Sequence, residues 1–175
     1  RLDFPGAAAV AGSLAAIYWL LMLVGRAAST AISGKVSTRT QLITASGVGI
    51  ILLLCAIFTG SVEINLNLNL GFIVIENAQV PLSCVFIFLC GLCTSVMWGG
   101  IFNLSTEGLG KYTAKASGLF MTMVVGGGVM PFIQDYIGRT IGYLSSYWLI
   151  IGMLAYILYY ALIGCKNVNP EIKVD

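Results

Sequence analysis

The chain has 175 residues, of which 58% are hydrophobic and only 9% charged, with a mean hydropathy of +0.94. Soluble domains carry about 25% charged residues, so this chain cannot cover itself with a polar surface and reads as an all-α integral membrane protein. The net charge of +2 and the lack of any basic stripe argue against a nucleic-acid partner, and with no His in the chain neither a metal nor a cofactor is expected.

The opening Arg1-Leu2-Asp3-Phe4-Pro5 has no initiator Met and no signal-peptide pattern. It is read as the start of a piece of a longer chain, beginning in a loop. A first apolar run follows at about 7–33, rich in Ala, Gly and Ser, which let helices approach closely. Gly25-Arg26 interrupts it, and the basic stretch 34–39 is expected to form a tight loop. The second run, about 40–60, is nearly featureless between positions 48 and 58 and reads as a peripheral helix facing lipid.

Residues 61–80 break the pattern and are placed in an external loop. Ile64-Asn65-Leu66-Asn67-Leu68-Asn69-Leu70 alternates with period two, and a second β-favouring run follows at 72–75. A small hairpin and a disordered loop are the two readings. The third and fourth runs, about 81–104 and 114–138, are each long enough to cross a bilayer core of about 30 Å. The link between them is too short to hold a domain, so they form antiparallel neighbours. The fourth contains Gly126-Gly127-Gly128 and Pro131, tolerated in lipid where the backbone bends or other helices cover it; these four are the candidate hinge. The fifth run, about 144–164, carries Trp148, Tyr156, Tyr159 and Tyr160, which suit an interfacial belt.

Together the five helices make one transmembrane bundle over residues 1–175, with the two ends on opposite sides. Lys35, Arg39, Lys111, Lys115, Lys166 and Lys173 fall on one side, Arg1 and Arg139 on the other. The positive-inside rule then makes the carboxy terminus cytoplasmic in a multi-pass protein of the inner or plasma membrane.

Four residues are candidates for a solute pathway. Arg26 lies about 12 Å from the cytoplasmic end of its helix. An intramembrane charge is a functional residue by default; snorkelling, or a structural pair with another part of the chain, is the alternative. Asp135 is not its partner, because it lies about 30 Å up the fourth helix, near the other face. Trp98 sits at about the depth of Arg26, beside Gly99 and Gly100. An indole next to open space suits stacking against a sugar ring; a packing or lipid-facing Trp is the plain alternative. Asn103 and Gln134 offer amides that hydroxyls could use, and both should face the interior. Glu107 and Lys111 read as an interfacial charge cluster, and Cys90-x-x-Cys93 as small packing residues. No nucleophile with a base, paired carboxylates or phosphate loop points to an enzyme.

Gly25-Arg26, then Asn103-Leu104 with Gly108-Leu109-Gly110-Lys111-Tyr112-Thr113, then Val125-Gly126-Gly127-Gly128-Val129-Met130-Pro131-Phe132-Ile133-Gln134, resemble sugar permeases of the major facilitator superfamily. The branch is the fucose/galactose/glucose:proton symporters, the L-fucose permease-like family. The resemblance covers most of the chain and falls on helices 8 to 12 of a twelve-helix fold. It implies a partial carboxy-terminal bundle, alternating access, a midplane sugar site and protons as a coupled partner. It puts Trp98 where the family's helix-10 aromatic contacts sugar, and makes the second and fifth runs peripheral helices 9 and 12. It also implies a missing amino-terminal half carrying the proton-titrating carboxylates. Asp135 where the family has Gly, Ser29 where helix 8 often repeats a Gly, and the long 61–80 segment depart from the pattern. The competing expectations are a facilitator for another small solute, such as an organic anion countered by Arg26, and a non-transporting membrane scaffold.

Overall fold

The computed structural model describes residues 7–60, 62–69 and 74–165. The charges at Arg1, Lys166 and Lys173 and the polar tail lie outside that range. Six α-helices and one hairpin occur in the order α1 (Ala7–Ile32), α2 (Thr38–Phe58), β1 (Glu63–Asn69), β2 (Val74–Pro81), α3 (Leu82–Thr106), α4 (Thr113–Met123), α5 (Val125–Ile141) and α6 (Tyr143–Tyr159). A 3-10 turn at Gly110–Tyr112 leads into α4, and a π-turn at Tyr160–Gly164 ends α6. Among the described residues, five segments are long and apolar enough to span a membrane, with α4 and α5 together forming the fourth, Gly110–Ile141. The fold is all-α and multi-pass.

Local chemistry sets the boundaries. The Ser37 hydroxyl accepts a hydrogen bond from the Thr40 amide and caps α2, so Thr38 and Arg39, expected in a loop, form the first turn of that helix. Val124 parts α4 from α5: the Gly127 amide bonds the Val124 carbonyl at 2.8 Å, an i to i+3 tightening just before the glycines. Gly142, at φ +103°, turns α5 into α6 in a conformation other residues rarely adopt. The alternating 64–70 stretch supplies β1, and β2 begins at Val74; the antiparallel register pairs Glu63 with Pro81 and Ile64 with Val80, with an irregularity between Leu66 and Leu68. The 70–73 connection, including the start of the expected 72–75 run, is outside the described residues. Val80 is fully buried and meets Leu14 of α1, with Cys84 and Phe88 of α3 packed around them, so the hairpin sits on the α1–α3 pair.

The main core lies between α2, α3 and α6. Leu42, Ala45, Leu53, Cys90, Cys93, Met97, Leu154 and Ala161 form one buried cluster. The second run, read as a peripheral, lipid-facing helix, is two-sided: Thr44, Val48, Ile51 and Phe58 are exposed along one face, and the other is packed. Leu42, Ala45, Ser46, Gly49, Leu53 and Ala56 are buried along one seam of α2, and α2 packs on both α3 and α6. Lipid tails are as apolar as Leu, so a uniformly apolar helix is equally content against lipid or protein; small residues decide. Cys90 and Cys93 belong to the same core, which fits a packing role.

Glycine-mediated approach occurs between α1 and α3. A Cβ on Gly25 would come within 2.8 Å of the Leu92 carbonyl oxygen, and one on Gly91 within 2.9 Å of the Tyr18 carbonyl oxygen. The Tyr18 and Thr94 hydroxyls share a hydrogen bond of 3.0 Å across the same contact. By contrast a Cβ on Gly126, Gly127 or Gly128 would meet nothing within 4 Å, and Gly138 is the one buried residue of α4 and α5.

Arg39 ties α2 to the end of α6. Its Nε donates to the Ala161 carbonyl at 2.8 Å and its Nη2 to the Leu162 carbonyl at 2.6 Å. The last carbonyls of a helix have no partner within it and carry partial negative charge, so a forked cation is well matched to them.

Candidate functional site

Two stripes face each other across α1 and α3. On α1 and the turn that ends it, Arg26, Ser29, Thr30 and Ser33 recur at i, i+3, i+4 and i+7, one helical face. On α3, Ser95, Trp98, Gly99 and Asn103 recur at i, i+3, i+4 and i+8, again one face. With Thr38 and Gln41 from α2 they line a cavity of about 300 Å³, at the lower end of the roughly 300–1,000 Å³ range of small-molecule sites. Arg26, Trp98 and Asn103 are thus brought together, as their depths along two antiparallel helices require.

Polar capacity in this cavity is divided between fixed and free groups. Thr30 donates its hydroxyl proton to the Arg26 carbonyl at 2.9 Å, and Ser95 donates to the Leu92 carbonyl at 2.6 Å. Ser29 donates to Gln41 Oε1 at 2.6 Å, while Gln41 Nε2 donates to the Val36 carbonyl at 3.1 Å, pinning α1 to the start of α2. These hydroxyls retain lone pairs and act as acceptors. Among the described residues, the ion pair found is Asp135 with Arg139, 2.8 Å apart one turn along α5. No described carboxylate reaches Arg26. Lys111 and Lys115 instead stand over the Tyr112 ring, 5.7 and 6.0 Å from its centroid, which accounts for the link without a Glu107–Lys111 pair.

Gln134 does not join this group. It lines a second cavity of about 570 Å³ with Met123, Met130, Met153, Gly126, Gly127 and Pro131, and this one is almost wholly apolar. Trp98 borders both cavities, with its side chain 43% exposed. It therefore stands between a wall of hydroxyls and amides and a wall of methionines. Its ring is held edge-to-face by Phe120 of α4 at 5.1 Å, and Phe120 in turn meets Phe102 at 5.3 Å.

Ser29, Gln41, Ser95 and Phe120 are site residues the sequence reading does not single out. The i, i+3, i+4, i+7 spacing from Arg26 is the signal that would have found Ser29. Gln41 sits in a helix read as peripheral, and Phe120 is one aromatic in a long apolar run.

No family model matches the chain, and no solved structure matches it. The chain is similar to a glucose/galactose transporter of Brucella abortus, at 39% identity over 77 residues, covering 44% of this chain and 19% of the relative. It is also similar to putative glucose/galactose transporters of two Helicobacter pylori strains, at 30% and 28% identity over 155 residues, covering 86% of this chain and 33% of each relative. The chain therefore spans about a fifth to a third of the length of the curated relatives it matches.

Proposed function

We propose that this chain is the carboxy-terminal part of a sugar transporter of the major facilitator superfamily, of the fucose/galactose/glucose:proton symporter type, working by alternating access. The observation that carries the reading is the position of Trp98, a half-exposed indole on the border of a cavity lined by Arg26, Asn103 and hydroxyls. A pyranose has apolar C–H faces and a polar rim. Stacked on Trp98, it would turn hydroxyls toward the Asn103 amide and the Arg26 guanidinium, while Gln134 would serve the pathway from the other cavity. The similarity to proteins named glucose/galactose transporters supports sugar as the solute.

In this reading α4 and α5 bend at Gly126, Gly127, Gly128 and Pro131, and their open face is covered by an amino-terminal bundle elsewhere in the protein, where the proton-titrating carboxylates reside. Lys35, Arg39, Lys111 and Lys115 gather at the links between α1 and α2 and between α3 and α4. That supports a cytoplasmic placement of this end in the inner or plasma membrane, with the β-hairpin outside.

The test is uptake of labelled glucose, galactose and fucose by vesicles bearing the full-length protein, with and without an inward proton gradient. Gradient-driven accumulation of one of these sugars is expected. Absence of sugar uptake refutes the reading and favours the second one, a facilitator for an organic anion. That alternative rests on Arg26 having no carboxylate partner among the described residues.

A further inference from the structure

Helix α4 is half-buried at Thr113, Ala116, Ser117 and Phe120. The spacing of 0, 3, 4 and 7 defines a single face, and Phe120 is its one large side chain. Its ring meets Trp98 at 5.1 Å and 66°, and Phe102 at 5.3 Å and 76°. Trp98 and Phe102 lie one turn apart on α3, so the Phe120 ring spans that turn. From 121 to 133 every residue is exposed, the glycines and Pro131 included. Packing resumes at Gly138, which lies against Tyr143 of α6. Phe120 is thus the last point at which the fourth span is fixed to α3 before its glycine-rich segment, and Trp98 is one of the two rings it is fixed to.

We propose that Phe120 is a positioning residue of the sugar pathway, holding the Trp98 indole at its working angle. The inference rests on Trp98 being the sugar platform. Burial alone does not lock the indole, which is 43% exposed, and a Cβ on the adjacent Gly99 would meet nothing within 4 Å. The edge-to-face contact from Phe120 supplies the missing restraint. An indole released from that contact must be ordered again each time sugar binds, a cost that falls on affinity and leaves the bond-free translocation steps alone.

The experiment is kinetic uptake of labelled glucose and galactose by the full-length protein carrying Phe120→Ala, Phe120→Leu, Phe120→Tyr, Trp98→Ala, or Trp98→Ala with Phe120→Ala. Phe120→Ala should raise KM about three- to tenfold, the size of one aromatic edge contact, with maximal rate and membrane level retained. Phe120→Leu keeps the bulk without the ring edge and should raise KM as well; Phe120→Tyr should restore it. The double variant should be no worse than Trp98→Ala, because the effect passes through that residue. A normal KM in Phe120→Leu, or independent, multiplying effects in the double variant, overturns the proposal. Impaired Trp98→Ala beside unaffected Phe120 variants overturns this role alone. Unaffected Trp98→Ala, or no sugar uptake by the parent protein, overturns the platform reading and this one with it.

Discussion

Gly25→Ala tests the α1–α3 contact directly. The new Cβ would stand 2.5 Å from Ser95 Oγ, 2.8 Å from the Leu92 carbonyl oxygen and 3.1 Å from the Leu92 Cα. The hydroxyl can rotate away; the carbonyl and the Cα belong to the backbone and cannot, so α1 must back off α3. Overpacking of this kind costs about 1–3 kcal/mol. Separation also stretches the Tyr18–Thr94 hydrogen bond of 3.0 Å, worth about 0.6 kcal/mol between membrane helices. Alanine's better helix propensity returns up to about 1 kcal/mol, leaving a net loss of about 0.5–2.5 kcal/mol. Gly152→Ala, on the fifth run that reads as a peripheral helix, is the matched control: its Cβ meets nothing within 4 Å, so only the propensity gain of up to about 1 kcal/mol remains. Thermal melting of the full-length protein in detergent should therefore rank Gly25→Ala below wild type and Gly152→Ala level with it or above. Equal shifts for the two variants, or a wild-type melting temperature for Gly25→Ala, would refute the argument that backbone contact makes Gly25 necessary.

Arg39→Ala leaves the Ala161 and Leu162 carbonyls without their forked donor; amide exchange across Tyr160–Gly164 should rise about tenfold, matching the loss of about 1–2 kcal/mol of charge-assisted bonding. Arg39→Lys should recover only part of it, since an ammonium cannot fork to two carbonyls in the same way; full recovery, or unchanged exchange in the alanine variant, counts against the clamp. Gly127→Leu projects into space that is open in this chain and that the proposed amino-terminal bundle would close over, so sugar uptake by the full-length protein should be lost while its membrane level holds; normal uptake removes the glycine segment from the transport cycle.

Length and hydropathy were enough to read five spans, and residue counting was enough to put Arg26 and Trp98 at one depth, because a helix rises a fixed 1.5 Å per residue. The strict alternation at 64–70 was enough to suggest strands. Which face of each span meets protein was not legible. α2 reads as lipid-facing because its run from 48 to 58 is uniformly apolar, and Val48, Ile51 and Phe58 do stand exposed; that same uniform run hides the opposite seam, where Ser46, Gly49 and Ala56 are buried against the core. The glycines at 126–128 drew attention as a hinge, and the close backbone approach within this chain falls on Gly25 and Gly91. Glycine permits contact without naming the partner helix, and that information is carried by the opposing backbone. Arg39 read as a loop charge because its partners, two carbonyls at the far end of the chain, have no signature in sequence.

The arrangement of the fourth span bears on why it would bend. Its amino-terminal part is held on α3 by Phe120 and its carboxy-terminal part on α6 at Gly138, while the stretch between is exposed. A rod fixed at both ends and free in the middle yields in the middle. The backbone is weakest there too: the Gly127 amide bonds Val124 at i to i+3, and Pro131 has no N–H to offer the Gly127 carbonyl. Glycine side chains cannot shield that carbonyl. In hydrocarbon an unsatisfied carbonyl costs several kcal/mol, so irregular backbone at membrane depth persists only against protein or water. In the proposed transporter the open face at 126–131 therefore meets protein or water rather than lipid. It borders the cavity that Trp98 and Gln134 share, so the backbone that bends most easily and the side chains that would bind sugar line the same space, and a bend in one changes the shape of the other.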